Sequence, residues 1–311
     1  MTSNTLSGQG VLLSVIASVV FGVLGWFSTL LIPLTGLEIF AWRIVWTVPG
    51  MIVVVSLLRH WPKFTATLAR FKREPVLWLA LPVSGFLLGV QQWLFMWAPL
   101  EGRLLEVTLG YFLLPLVMVL VGYVFYRERP SKLQWLAVAF ACAGVLHELW
   151  LTQAFSWVTL VTALGYPPYL MLRRAVRLDP VSGFLLETLV IVPFAIWLII
   201  SHPLATDALL TTPILWLLLP CLGAMTAIAF ACYLGASKLL PISLLGILGY
   251  VEPVLLFIIS LLFLAEPFSA AGLGTYVPIW IAVLLTCSHS AATLARQRRA
   301  GLNASSPTPT S

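Results

Sequence analysis

Arg43 and Glu187 place opposite charges inside apolar runs, at 37–58 and 181–200. A charge at the centre of a membrane-spanning helix costs roughly 2.5–3.5 kcal/mol on insertion scales, so such groups mark ion pairs, gates or solute sites. Glu106 stands near the start of another run and Glu252 directly before Pro253 in a further one. A carboxylate withdrawn from water can exchange a proton, which makes Glu106, Glu187 and Glu252 the proton-coupling candidates. Gln91, Gln92 and Trp93 add amides and an indole, and Tyr111 and Tyr250 add rings with polar tips. Together these nine residues are what a cavity for a small amphipathic solute would display. Each also has a plainer reading. Arg43 and Glu187 could form a static pair that orders a helix bundle. The glutamines could bond between helices, Glu106 could sit at an interface, and the tryptophans could pack or belong to an interfacial belt.

Other chemistries lack their residues. There is no G-x-x-x-x-G-K-[ST] loop for nucleotide phosphates and no H-E-x-x-H pair for zinc. His147-Glu148 has the wrong spacing for a paired-histidine site, and Cys142, Cys221, Cys232 and Cys287 all fall inside apolar runs without metal-ligand spacing. The sequence implies no catalytic residue, no metal and no cofactor, and so no enzyme. A membrane enzyme or lipid-handling protein, which would need such a cluster at one depth, is the rival reading.

The elements that must carry these side chains are membrane helices. Sixty percent of the 311 residues are hydrophobic and 9% charged, against about a quarter charged in soluble domains. A spanning helix needs about 20 mostly apolar residues. Ten runs qualify: 10–32, 37–58, 75–98, 104–126, 133–150, 156–173, 181–200, 211–236, 242–264 and 269–291. The sixth contains Pro167-Pro168. The connection Arg59–Glu74 is basic and has room for a short surface helix.

The runs repeat. Pro115 and Glu128 recur as Pro253 and Glu266 at an offset of 138, which also carries Phe95 onto Tyr233. Upstream the offset is 144 and carries Arg43 onto Glu187 and Pro49 onto Pro193. Leu-Gly-Tyr precedes the proline in both the fourth and the ninth runs. Five runs per half reverse direction, so the halves are expected to be inverted, as in many secondary transporters. The expected fold is therefore an all-α integral membrane protein, with ten transmembrane helices as two inverted five-helix repeats. Its parts are an N-terminal tail (1–9), a first repeat (10–150), a second repeat (151–291) and a disordered tail (292–311). With the N-terminus inside, cytoplasmic segments hold fifteen of the seventeen Lys and Arg residues and the opposite connections hold only Arg103. This bias places both termini in the cytoplasm. It also assigns the net charge of +6 to topology and to membrane lipids rather than to nucleic acid. Met1–Gln9 lacks Lys and Arg, so the first run reads as a retained helix and not a signal peptide. The stripe Ala137, Ala141 and Gly144 favours close helix packing; a homodimer is left open.

The stretch Leu109-Gly110-Tyr111-Phe112, Pro115, Glu128-Arg129 and Gln134-Trp135-Leu136-Ala137-Val138 resembles the drug/metabolite transporter superfamily, and within it the RarD group of EamA-type permeases. Glu106, Arg43 and Glu187-Thr188 fit the same group. The resemblance extends from about Gly10 to Ala291. It implies ten helices in two inverted halves and export of small metabolites or drugs. The chain departs from the group at Leu114, where an Asn is expected, and at Pro167-Pro168. The combined expectation is a multi-pass inner-membrane carrier. It would move a small metabolite or amphipathic drug-like solute outward by alternating access, driven by a proton gradient through one of the three carboxylates or by the solute gradient itself.

Overall fold

A computed structural model describes residues 7–101, 103–153, 155–201, 209–252, 255 and 272–305. Among them every regular element is helical. The order is α1 (Gly8–Phe27, continued by a 3-10 turn over Ser28–Leu31), α2 (Gly36–Leu57), α3 (Trp61–Arg70), α4 (Val76–Leu100), α5 (Leu104–Phe125) and α6 (Lys132–Thr152). Then follow α7 (Trp157–Ala175), α8 (Pro180–Ser201), α9 (Leu215–Leu239), α10 (Ile242–Leu248) and α11 (Leu273–Ser305). Eight of these helices are long and apolar enough to cross a membrane. The chain is thus a multi-pass membrane protein.

Helix starts are fixed by side chains. Thr35 and Glu38 form a capping box at α2, Ser131 and Gln134 at α6, and Ser156 and Thr159 at α7. Each supplies acceptors to backbone N–H groups that a helix start leaves without partners. The short helix allowed for in the loop 59–74 is α3. The sixth run folds as one helix, α7, with both prolines inside it. Two boundaries differ from expectation. α11 passes 291 and continues to Ser305, because the segment after 291 is rich in Ala, Arg and Gln, which favour helix. A disordered tail from 292 is therefore corrected to helix as far as 305, while 306–311 lie outside the described residues. The ninth run is described only at 242–252 and 255, so Pro253 and Glu266 also fall outside.

The bundle is built by interlocking. α1 packs on α9, α9 on α2, α2 on α8, α5 on α7 and on α10, and α6 on α11. These most extensive interfaces all join a helix from the first half of the chain to one from the second. Large apolar side chains face outward, as at Leu79 and Phe86, which are 70% and 69% exposed, while small residues line the crossings. That reversal suits a lipid surround, where association relies on close packing rather than on the hydrophobic effect. Ala137, Ala141 and Gly144 are buried on α6 and meet α11, and the Gly144 backbone approaches the Thr275 carbonyl. Where α2 crosses α9, Gly223 lies against the backbone of Trp46, and a Cβ at Gly50 would stand 3.1 Å from the Gly223 carbonyl. Only glycine permits that approach. Gly223→Leu is therefore expected to destabilise the protein by about 1–3 kcal/mol, read as a lower melting temperature in detergent. Leu217→Ala on the exposed face of the same helix should leave the melting temperature nearly unchanged.

Candidate functional site

Arg43 lies seven residues into α2 and is 2% exposed. Its Nε donates to Thr226 Oγ1 on α9 at 2.9 Å, and Thr226 is turned inward by its own bond to the Leu222 carbonyl. Its guanidinium carbon stands 5.8 Å from the centroid of the Phe95 ring on α4. Its Nη1 is buried without a partner. Tyr111 on α5, Tyr166 on α7 and Glu252, which follows α10, are all within electrostatic reach of Arg43. Tyr233 on α9 is in reach of Tyr166 and Glu252. The rings touch edge to face: Phe95 with Tyr111 at 5.7 Å and Tyr166 with Tyr233 at 6.2 Å between centroids. Tyr111, Tyr166, Tyr233, Phe95 and Glu252 keep partial exposure although they lie within helices. Arg43, Tyr111, Tyr166, Tyr233 and Glu252 are linked by electrostatic reach, and Phe95 joins them through Arg43 and Tyr111, so these side chains converge on a shared polar centre. Helices from both halves supply it. Of the expected path residues, Arg43, Tyr111 and Glu252 are brought together here. Sequence reasoning missed Thr226, Tyr166 and Tyr233. The offset pairing of Phe95 with Tyr233 was the available signal for the last.

Arg43 and Glu187 do not pair in this structure. Glu187 accepts instead from the Arg173 guanidinium and, at 3.0 Å, from the Tyr169 hydroxyl, both on α7. Arg173 also donates to the carbonyls of Asp179 and Pro180, which ties the end of α7 to the start of α8. The reason is depth. α2 and α8 run in opposite directions, and each charge lies seven residues from its own helix start. At about 1.5 Å per residue each is some 10 Å from opposite ends of the bundle, so the two charges occupy different levels.

The other candidates stand apart from the polar centre. Glu106 accepts from the Ser156 hydroxyl and pairs with Arg103 at 3.4 Å, while its backbone carbonyl accepts from Thr159 Oγ1 at 2.9 Å. It fastens the starts of α5 and α7. Arg103 lies over the rings of Trp97 and Trp157, and Trp93 stacks on Trp97 at 5.0 Å. Gln91 donates to the Val161 carbonyl at 2.8 Å and packs against Gly165, joining α4 to α7. Gln92 is buried with neither amide atom bonded. Tyr250 is fully buried with Ile247, Ile279 and Ala282, and its hydroxyl donates to the Phe112 carbonyl at 2.8 Å. Tyr111 precedes Pro115 by four residues whereas Tyr250 precedes Pro253 by three. One residue turns a helix by about 100°, which directs Tyr250 into the α5–α6–α11 core.

At the end of the bundle that carries the basic connections, a cavity of about 870 Å³ opens between the halves. Arg129, Arg173, Arg174, Arg177 and Lys238 line it, and Glu128 is its one carboxylate. Glu128 is committed: it accepts from the backbone N–H groups of Ile242 and Ser243 at 2.8 and 2.9 Å and from the Ser243 hydroxyl, capping α10 from a distance. Arg174 donates to the carbonyls of Ser237 and Leu240 at 2.6 and 2.7 Å. Beside the cavity Arg70 bonds Glu74 and the Val176 and Arg177 carbonyls. The bond from Arg70 holds the Glu74 carboxyl below its usual range.

A Pseudomonas aeruginosa protein named chloramphenicol-sensitive protein RarD is 52% identical over 297 residues, which cover 96% of this chain and 99% of that one. The chain belongs to the RarD family. The Escherichia coli protein RarD is 32% identical, covering 89% of this chain and 93% of its own. A Haemophilus influenzae relative, an uncharacterized transporter, is 37% identical over 89% of this chain and 92% of its own. No protein-family model matches the chain. One crystal structure, 18% identical, matches with a TM-score of 0.62 over 90% of this chain and 98% of that one; at that identity it shows a shared fold alone. Family membership and the apolar helices together make the chain a member of a membrane-transporter family.

The Glu187–Arg173 pair yields a direct test. Removing one member of a buried pair costs about 3–5 kcal/mol, whereas replacing both with apolar side chains is much milder. Glu187→Leu alone should lower the melting temperature sharply, and adding Arg173→Met should recover a large part of the loss. The same melts on Arg43→Met are expected to show no coupling to Glu187→Leu.

Proposed function

We propose that the chain is a secondary transporter that carries a small amphipathic solute outward across the inner membrane by alternating access. Its path lies between two inverted five-helix halves, 10–150 and 151–291, with both termini in the cytoplasm. The observation that carries this reading is the polar centre around Arg43, assembled from α2, α4, α5, α7, α9 and the segment after α10. A transporter needs polar groups at mid-depth where two movable bodies meet. The helix pairing supports the repeat: α2 touches α8, α5 touches α10 and α6 touches α11, and in each pair the partners hold corresponding places in the two halves. The fifteen-to-one bias of basic residues supports the orientation.

Glu252 is the proton-coupling carboxylate in this reading. Glu106 and Glu187 are each engaged in ion pairs and hydrogen bonds, whereas Glu252 has no side-chain hydrogen bond or ion pair to a described residue. Substrate, lipid and any second copy are the partners; the transport cycle itself needs no cofactor.

Proteoliposomes with a panel of radiolabelled metabolites and the neutral aromatic chloramphenicol test the reading. At least one solute should move faster than through protein-free vesicles, and an imposed pH gradient should change its rate. Glu252→Gln should remove the gradient's effect, while Glu106→Gln should keep it. No protein-dependent flux for any solute would favour the enzyme or lipid-handling alternative. Reporters fused after Ser311 and after Pro203 should lie in opposite compartments; the same compartment for both would refute the ten-helix topology.

A further inference from the structure

We infer that the polar centre is an anion site, and that it takes a solute bearing a single carboxylate on an aromatic or similarly flat apolar body. The inference rests on the transport reading for its setting and adds the chemical class of the cargo.

Arg43 supplies the charge. It is almost fully buried, yet among the described residues only its Nε finds a hydrogen-bond partner. Nη1 is buried without an acceptor, and a buried donor of a charged group is costly until it is paired. Glu252 is within electrostatic reach of Arg43 but forms no ion pair with it. The guanidinium is therefore neutralised at a distance and keeps a donor for a closer acceptor. A carboxylate suits a guanidinium geometrically, and the paired hydrogen bonds are charge-assisted. The hydroxyls of Tyr111 and Tyr166 have no hydrogen bond to a described residue and can donate to the same group.

Charge number selects the monoanion. One guanidinium balances one negative charge, and the nearby Glu252 makes a phosphate dianion unfavourable. The body of the solute meets the rings of Phe95, Tyr111, Tyr166 and Tyr233, which favour a flat apolar group. The cavity at the basic end carries the same sign of charge. Arg129, Arg177 and Lys238 line the cavity at the basic end and take part in none of the ion pairs among the described residues. A basic mouth concentrates anions.

Glu252 is then the internal rival of the cargo. Binding of an anion beside Arg43 is opposed by an ionised Glu252 and relieved when that carboxylate takes up a proton. Among the described residues, the groups within electrostatic reach of Glu252 are Arg43 from α2, Tyr111 from α5, Tyr166 from α7 and Tyr233 from α9. Among these Arg43 is the one cation, so cargo and Glu252 compete for it.

The test is equilibrium binding to the purified full chain in detergent, read by tryptophan fluorescence and by calorimetry. Phenylacetate, benzylamine, benzyl alcohol and inorganic phosphate serve as probes. Phenylacetate should bind, with benzylamine and phosphate on the order of tenfold weaker or worse, equivalent to about 1.4 kcal/mol. Arg43→Gln should abolish phenylacetate binding. Because that variant can fail for reasons of folding, Glu252→Gln is decisive. It should bind phenylacetate several-fold more tightly than the native chain, a gain that misfolding cannot produce. Benzylamine or phosphate binding better than phenylacetate, or Glu252→Gln leaving phenylacetate affinity unchanged or weaker, would overturn the inference. Transport failure is separable: a chain that binds phenylacetate but carries no solute contradicts the transport reading alone, and one that carries a neutral solute but binds no carboxylate contradicts this inference alone.

Discussion

A guanidinium cannot rest in an apolar interior unless polar groups converge on it, and Arg43 imposes that condition on five helices at once. α9 must present Thr226, so α2 and α9 must cross closely, and Gly50 and Gly223 permit it. α4 brings the face of Phe95, α5 brings Tyr111 and α7 brings Tyr166. None of these helices could rotate far about its axis without withdrawing its share. The charge thereby sets the register of one half of the chain against the other, and it leaves one of its donors available at the meeting point.

Among the described residues, most of the acidic side chains set within or against the helices are used to build the bundle, and Glu252 is not. Glu38 closes the capping box of α2, and Glu106 fastens α5 to α7. Glu128 caps α10, and Glu148 accepts from Thr275, which also meets His147 across α6 and α11. Glu187 is held by Arg173 and Tyr169. Each of these satisfies a polar group that lipid would leave without a partner. Glu252 performs no such task among the described residues. A carboxylate retained in a helical interior without a structural duty is the expected signature of a functional group.

Much of this was legible in the sequence, because hydropathy over about 20 residues and the pattern of caps are local properties. The helices from α1 to α9, the surface helix α3 and the internal α6 stripe all follow from residues close to one another in the chain. Arg43 and Glu252 stood out because charge is rare in such runs. Tyr166 and Tyr233 did not, since a tyrosine in an apolar run looks like packing until another helix supplies a charge beside it. The pairing of Glu187 illustrates the same limit. Symmetry in the sequence suggested Arg43, but helices entering from opposite ends put equivalent positions at different depths. Its partner is Arg173, one short turn away. Tyr250 was misread by a single residue of spacing, which a helix converts into a different face.

The central claim is that the surroundings of Arg43 form an internal site reached by water and solute, and not a sealed core. It is tested most directly by thiol accessibility in membranes. In a chain with Cys142, Cys221, Cys232 and Cys287 replaced, single cysteines would be introduced as Tyr166→Cys and Tyr250→Cys. Their reaction with a membrane-impermeant thiol reagent would be timed from each side of sealed vesicles of known orientation. The account predicts that the cysteine at 166 reacts from both sides, while the one at 250, buried between α5, α6 and α11, stays unreactive. A cysteine at 166 that never reacts from either side, or one no faster than that at 250, would contradict it.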